Sequence, residues 1–191
     1  MTSEYKSTIE KIQPVVLVGG QSSRFGRDKL IESVHGDLLV SRPIHALRAV
    51  FGNRVAIVGE CAQQVVAAAD FAIDDPYPGL GPVGGLCAAL KSTELDIFVC
   101  AGDLIAIDSQ TVQAIIEASI QCPGKLAYIA HDGRRHPTVG LYRNACVSFF
   151  ERAVANKKLK LGMVLDQESV ELVQVDSNAL RNINRPEELT D

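Results

Sequence analysis

The apolar residues of this chain fall into short blocks separated by stretches of helical periodicity. Residues 15–18, 55–58, 71–73, 97–101 and 126–130 are apolar runs of the length expected for buried strands. Between them, residues 41–51 carry Ile44, Leu47 and Val50 on one helical face, and residues 61–69 are rich in alanine. Residues 82–91 open with a proline, whose missing N–H costs nothing at a helix start. Residues 109–120 place Val112, Ile115, Ile116 and Ile120 at helical spacing. Strands alternating with helices predict a parallel sheet covered on both faces.

The pattern changes near residue 131. His131, Asp132, Gly133, Arg134, Arg135 and His136 separate two strand-like runs, 126–130 and 138–142. Asp-Gly between apolar runs signals a hairpin, so the sheet is predicted to be mixed, with an antiparallel insertion. A helix over 145–156 and a strand over 171–175 follow, and Pro186, with Glu187 and Glu188, opens a short final helix. With no internal repeat, low-complexity segment or linker, residues 1–191 are expected to form one α/β domain, a three-layer α/β/α Rossmann-like fold on a mostly parallel, mixed sheet.

Charge sharpens the picture in one place. The chain carries a net charge of −4, which argues against a general role on nucleic acid or at a membrane surface. Yet Arg24, Arg27 and Lys29 lie within six residues of one another, directly after Gly19 and Gly20. Adjacent glycines let the backbone turn and leave amide N–H groups free to face an anion. A glycine turn beside concentrated cations suits a polyphosphate. The P-loop and dinucleotide fingerprints do not fit, because no Gly-Lys-hydroxyl run is present and the third glycine, Gly26, comes six residues after the second. The start of the chain lacks the apolar stretch of a signal peptide, and no apolar run approaches a membrane span. The five cysteines are scattered, with no Cys-x-x-Cys pair, and read as reduced thiols in a cytosolic protein; Cys87 and Cys100 sit inside apolar runs as core fillers.

Ligands of open α/β sheets bind beyond the carboxyl ends of the strands. The first strand ends in the glycine loop, the third in Asp74 and Asp75, and the fourth in Gly102 and Asp103. A hard cation such as Mg²⁺ takes carboxylate and phosphate oxygens and keeps several waters, so one strand-end aspartate facing a triphosphate would suffice. Asp103 is favoured for that role, since Asp108 stands directly before the helix at Ser109 and competes for its cap. Asp74 and Asp75 are open to a second reading, an Asx turn before Pro76. The loop from Gly79 to Gly85 is either an anion-facing helix start or a tight turn with close helix packing. Arg134, Arg135 and His136 are either a solvated turn or a clamp for an anion, and Lys157, Lys158 and Lys160 read first as a solvated helix end.

The stretch from Leu17 to Lys29 fits the pattern L-x-G-G-x-S-x-R-x-G-x-D-K through Leu17, Gly19, Gly20, Ser22, Arg24, Gly26, Asp28 and Lys29. It resembles the nucleotidyltransferases of molybdenum cofactor synthesis. Three further places resemble the molybdenum cofactor guanylyltransferases: Asp75 with the Pro-Gly-Leu-Gly-Pro-Val-Gly-Gly run, the run from Arg135 to Tyr142, and the ending from Asn182 to Leu189. The likeness covers nearly the whole chain.

The resemblance implies Mg²⁺-dependent transfer of GMP from GTP to the terminal phosphate of molybdenum-bound molybdopterin, with release of pyrophosphate. Other molybdenum cofactor synthesis or target proteins are among the partners it leaves open. It implies that Leu17, Val18, Gly19, Gly20, Arg24 and Lys29 hold the nucleotide, that Asp75 helps to bind it, and that Pro82 and Gly85 lie near the guanine. It places Mg²⁺ on Asp103 and the pterin near Asn182 and Asn184, and it casts Arg24, Lys29 and Asp103 as the catalytic groups. The nucleotide falls to the N-terminal half and the acceptor to the C-terminal half. The chain departs from the family pattern at Val18, where alanine is usual, at Val58-Gly59, where the second strand often ends in asparagine, and at Leu104-Ile105, where a proline usually follows the metal aspartate. Residue chemistry alone leaves open a molybdopterin cytidylyltransferase, a guanylyltransferase with another phospho-acceptor, and a catalytically silent GTP-binding module.

Overall fold

The computed structural model describes residues 3–19, 28–34 and 36–183. Its centre is a seven-stranded sheet in the order β5-β4-β1-β6-β8-β7-β9, built from β1 (Ile12–Leu17), β4 (Ala56–Val58), β5 (Phe71–Ile73), β6 (Asp96–Ala101), β7 (Ala127–His131), β8 (Arg135–Tyr142) and β9 (Val170–Gln174). β2 (Ser33–Val34) and β3 (Asp37–Leu38) form a separate small hairpin. All sheet pairings are parallel except those of β8, which runs antiparallel to both β6 and β7. The expected antiparallel insertion is therefore β8, returning from β7 through the Asp132-Gly133 turn.

Among the described residues, six helices cover the sheet: α1 (Ser3–Glu10), α2 (Ser41–Phe51), α3 (Gln63–Ala68), α4 (Gly81–Lys91), α5 (Ser109–Gln121) and α6 (Val147–Ala155). The two faces follow from the period-2 alternation of strand side chains. Along β6, Phe98 and Cys100 join a core with Leu47 of α2, Val65 of α3 and Ile115 of α5, whereas Ile97 and Val99 join one with Leu86 of α4 and Phe150 of α6. Helices on both faces give the three layers that the periodicity predicted.

Local chemistry sets the element ends. Asp108 caps α5, its carboxylate accepting from the Thr111 N–H at 2.8 Å, and so leaves Asp103 outside the cap. The β7–β8 register slips between Ile129, opposite Gly140, and Ala130, opposite His136, which carries Pro137 through a bulge where its missing N–H breaks no ladder. At the end of α6 the chain turns through Lys157 at φ 53°, and the 157–160 lysines are exposed, in keeping with a solvated helix end.

Two elements were not foreseen. One is α1, whose residues are largely polar; Tyr5 anchors it in the core, and the Arg54 guanidinium donates to the carbonyls of Ile9 and Glu10. The other is the β2–β3 hairpin, too short to register in a hydrophobic pattern. The final helix expected at Pro186 lies outside the described residues. All five cysteines are free; burial pushes the Cys100 thiol up to about 12, consistent with an inert core filler. No helix among the described residues is long and apolar enough to cross a membrane.

Candidate active site

The carboxyl ends of β1, β4 and β5 open into a cavity of about 480 Å³. Its walls include Leu17, Val18, Gly19, Asp75, Pro82 and Gly85, six positions that the family resemblance implies for nucleotide binding. Gly20 and Arg24, like Ser22 and Gly26 of the same motif, lie outside the described residues, as does Asn184.

Two glycines bring the loops after β1 and β4 together. Gly59 has φ +117°, and a Cβ there would lie 2.0 Å from the Val18 carbonyl oxygen. Gly19 has φ +87°, and a Cβ there would lie 2.7 Å from the Glu60 carbonyl oxygen. Both distances are below any real contact, so these positions demand glycine for close approach as well as for φ. This accounts for the departure at Gly59, since a side chain would drive the two loops apart. Gly59→Ala is expected to destabilise the fold by about 2 kcal/mol or more. Gly133→Ala is the control, because Gly133 shares a positive φ of +102° with nothing near its Cβ. Thermal melts of the pair should show the larger loss at position 59, and equal losses would remove the packing argument.

The second glycine loop shows the tight turn with close helix packing. Gly79 and Gly81 adopt positive φ where the chain enters α4. Gly85 lets the helix close on the sheet, since a Cβ there would sit 3.0 Å from a methyl of Leu17. The same residues border the cavity, so the turn that admits α4 also shapes its wall. Asp75 likewise fills two descriptions. Its Oδ1 accepts from the Tyr77 N–H at 2.9 Å, the expected Asx turn, and the residue lines the cavity.

A second group lies at the ends of β1 and β6. The Lys29 Nζ donates to Asp103 Oδ2 at 2.6 Å and to the Ile183 carbonyl at 2.8 Å. The two side chains are 19% exposed, which leaves them within reach of solvent. Asn182 joins the group through the backbone: Leu104 and Asn182 form an isolated antiparallel bridge, and the Ile183 N–H donates to the Asp103 carbonyl at 3.0 Å. Thus Lys29, Asp103 and Asn182, scattered in sequence, converge. The Gly102 N–H donates to the Leu17 carbonyl at 2.9 Å, tying this group to the cavity wall. Asp28, in the motif, has a supporting part: Oδ1 caps the one-turn helix Lys29–Ile31 by accepting from the Leu30 N–H, and Oδ2 accepts from the Ala62 N–H, both at 3.0 Å.

Sequence reasoning missed Glu60, which lines the cavity beside Gly59. An exposed glutamate after a short strand carries no periodicity or motif signal; only the contact of the β1 and β4 loops reveals it. At the far hairpin, His136 Nε2 lies 2.9 Å from Asp132 Oδ1, and this hydrogen bond holds the Asp132 carboxyl below its ordinary range. Among the described residues no group of three or more His, Cys, Asp or Glu side chains could cage a metal. The carboxylate of Asp103 is nevertheless a suitable single hard ligand for an ion that draws its remaining donors from phosphate and water.

Comparison with known proteins shows which family this fold belongs to. A probable molybdenum cofactor guanylyltransferase from Rhodopirellula baltica is 29% identical over 188 residues, spanning 92% of this chain and 88% of that protein. One of the same name from Geobacillus sp. is 26% identical over 194 residues, spanning 96% and 98%. Among solved structures, molybdopterin-guanine dinucleotide biosynthesis protein A from Archaeoglobus fulgidus superposes with a TM-score of 0.76 at 22% identity, covering 92% of this chain and 94% of that one. A protein from Aquifex aeolicus gives the same TM-score of 0.76 at 24% identity, covering 91% and 92%. Residues 14–171 match the MobA-like NTP transferase domain, and the chain belongs to that family of nucleotidyltransferases.

Proposed function

We propose that the protein transfers GMP from GTP to the terminal phosphate of molybdenum-bound molybdopterin in the cytoplasm, one domain holding nucleotide in its N-terminal half and acceptor in its C-terminal half. The observation that carries this reading is the placement of the Lys29–Asp103 pair beside a nucleotide-sized cavity at the carboxyl edge of the sheet. The names of the relatives point to the same chemistry.

In the transfer, an oxygen of the acceptor phosphate forms a bond to the α-phosphorus of GTP. The bond from that phosphorus to the bridging oxygen breaks, and pyrophosphate leaves with the electron pair. A phosphate monoester has a second pKa of about 6 and is already anionic at pH 7, so no general base is required and none of the histidines is assigned. Catalysis then rests on positioning and charge neutralisation. Lys29 exchanges its Asp103 partner for phosphate oxygens as a point charge, and Arg24 offers a bidentate fork. The Asp103 carboxylate, released from Lys29, would hold Mg²⁺, and the ion would supply neutralisation of phosphate charge. Leu17, Val18 and Gly19 present backbone to the nucleotide, with Asp75, Pro82 and Gly85 around it, and the family resemblance gives Gly20 the same part. Asn182, bridged to Leu104, is the described residue assigned to the pterin side, and the family resemblance gives Asn184 the same part. The test follows the α-phosphate: label from GTP, and not from ATP or CTP, should enter the pterin product.

A further inference from the structure

Among the described residues, the charged ones that line the cavity are Glu60 and Asp75, both acidic, while the cation Lys29 belongs to the neighbouring group. A triphosphate held by Lys29, as proposed above, leaves the cavity to the uncharged, donor-bearing end of the nucleotide. Asp75 has one oxygen committed to its own turn through the Tyr77 N–H. No described residue supplies a hydrogen-bond or ion-pair partner to the Glu60 carboxylate. Its backbone, by contrast, is fixed, because Gly19 packs against its carbonyl and amide and Gly59 precedes it against Val18. Glu60 thus stands on a pinned loop at the cavity wall, an exposed residue whose carboxylate has no partner among the described residues.

We propose that Glu60 is a specificity-determining residue that reads the N1–H and N2–H₂ donors of guanine. This rests on the guanylyl-transfer reading of the same site. A carboxylate accepts two parallel N–H bonds, and charge-assisted bonds of this kind are the strong ones. Guanine offers two adjacent donors on that edge. Adenine offers one amino group flanked by acceptor nitrogens, and cytosine one amino group beside N3, so each turns a lone pair toward the carboxylate. A site whose polar groups go unpaired with the wrong base discriminates strongly.

The experiment measures binding of GTP, ITP, 2′-deoxy-GTP and CTP to the whole protein with Mg²⁺ by calorimetry, in wild type, Glu60→Gln and Glu60→Ala. ITP keeps N1–H and lacks the N2 amino group. Wild type should bind GTP about 10-fold or more tightly than ITP. Glu60→Ala should bring that ratio to about 1, with Glu60→Gln intermediate. The side chain is exposed, so both variants should melt close to wild type. An undiminished GTP-to-ITP ratio in folded Glu60→Ala would overturn the assignment. So would a loss confined to the ratio of GTP to 2′-deoxy-GTP, which would move Glu60 to the ribose. Wild type that binds CTP as tightly as GTP would instead bring down the guanylyl reading itself, a failure visible before any variant is made.

Discussion

Lys29→Ala is expected to lower kcat/KM for GTP about 100-fold or more, while leaving the protein folded. The lysine combines two features that seldom coincide in a structural residue. Adjacent glycines precede it in the motif, and among the described residues its ammonium is held only by a carboxylate and a carbonyl, at 2.6 and 2.8 Å. Those partners are the kind that a phosphate can replace. Removing the side chain also deprives Asp103 and Ile183 of their donor, so a cost on the order of 1 kcal/mol and a fall of a few degrees in Tm should accompany the loss of activity. Steady-state kinetics beside a thermal melt separates the two effects. Unchanged kcat/KM would take Lys29 out of the site, and collapse of the fold would make it a structural residue.

Asp103→Asn should act differently. Its carboxylate matters most as charge develops on the transferring phosphate, so kcat should fall about 100-fold while nucleotide affinity changes by less than about fivefold. The Mg²⁺ dependence should weaken in parallel, because an amide is a poorer ligand for a hard cation. Titrating Mg²⁺ against activity in both proteins reads this directly. Superimposable curves would move the ion elsewhere, with Asp75 next in line because it also ends a strand at the same edge.

The fold was legible where burial imposed a period. α2 matches its predicted span, and β6 and α5 lie within a residue of theirs, because strands buried on both faces and amphipathic helices leave no ambiguity in their apolar positions. α1 was not legible, because it is held by Tyr5 and by Arg54 from 44 residues away, a contact that no local pattern records. The site divides in the same way. Leu17, Val18 and Gly19 announced themselves through adjacent glycines after an apolar run, and Asp75 and Asp103 through their place at strand ends. The ion pair between Lys29 and Asp103 was hidden, being 74 residues long in sequence. Glu60 was hidden more deeply. Its significance comes from Gly59 and Gly19 pressing two loops together, so that an ordinary surface glutamate becomes part of a cavity wall.

Every residue role above depends on passage of the α-phosphate of GTP to a molybdopterin phosphate with loss of pyrophosphate. The decisive experiment incubates the protein with Mg²⁺, molybdenum-bound molybdopterin and GTP labelled at either the α- or the γ-phosphate. The α-label should appear in a dinucleotide product, the γ-label should leave as pyrophosphate, and ATP or CTP labelled in the same way should give little product. Transfer of label from CTP in place of GTP, or binding of GTP with no label transferred at all, would contradict it.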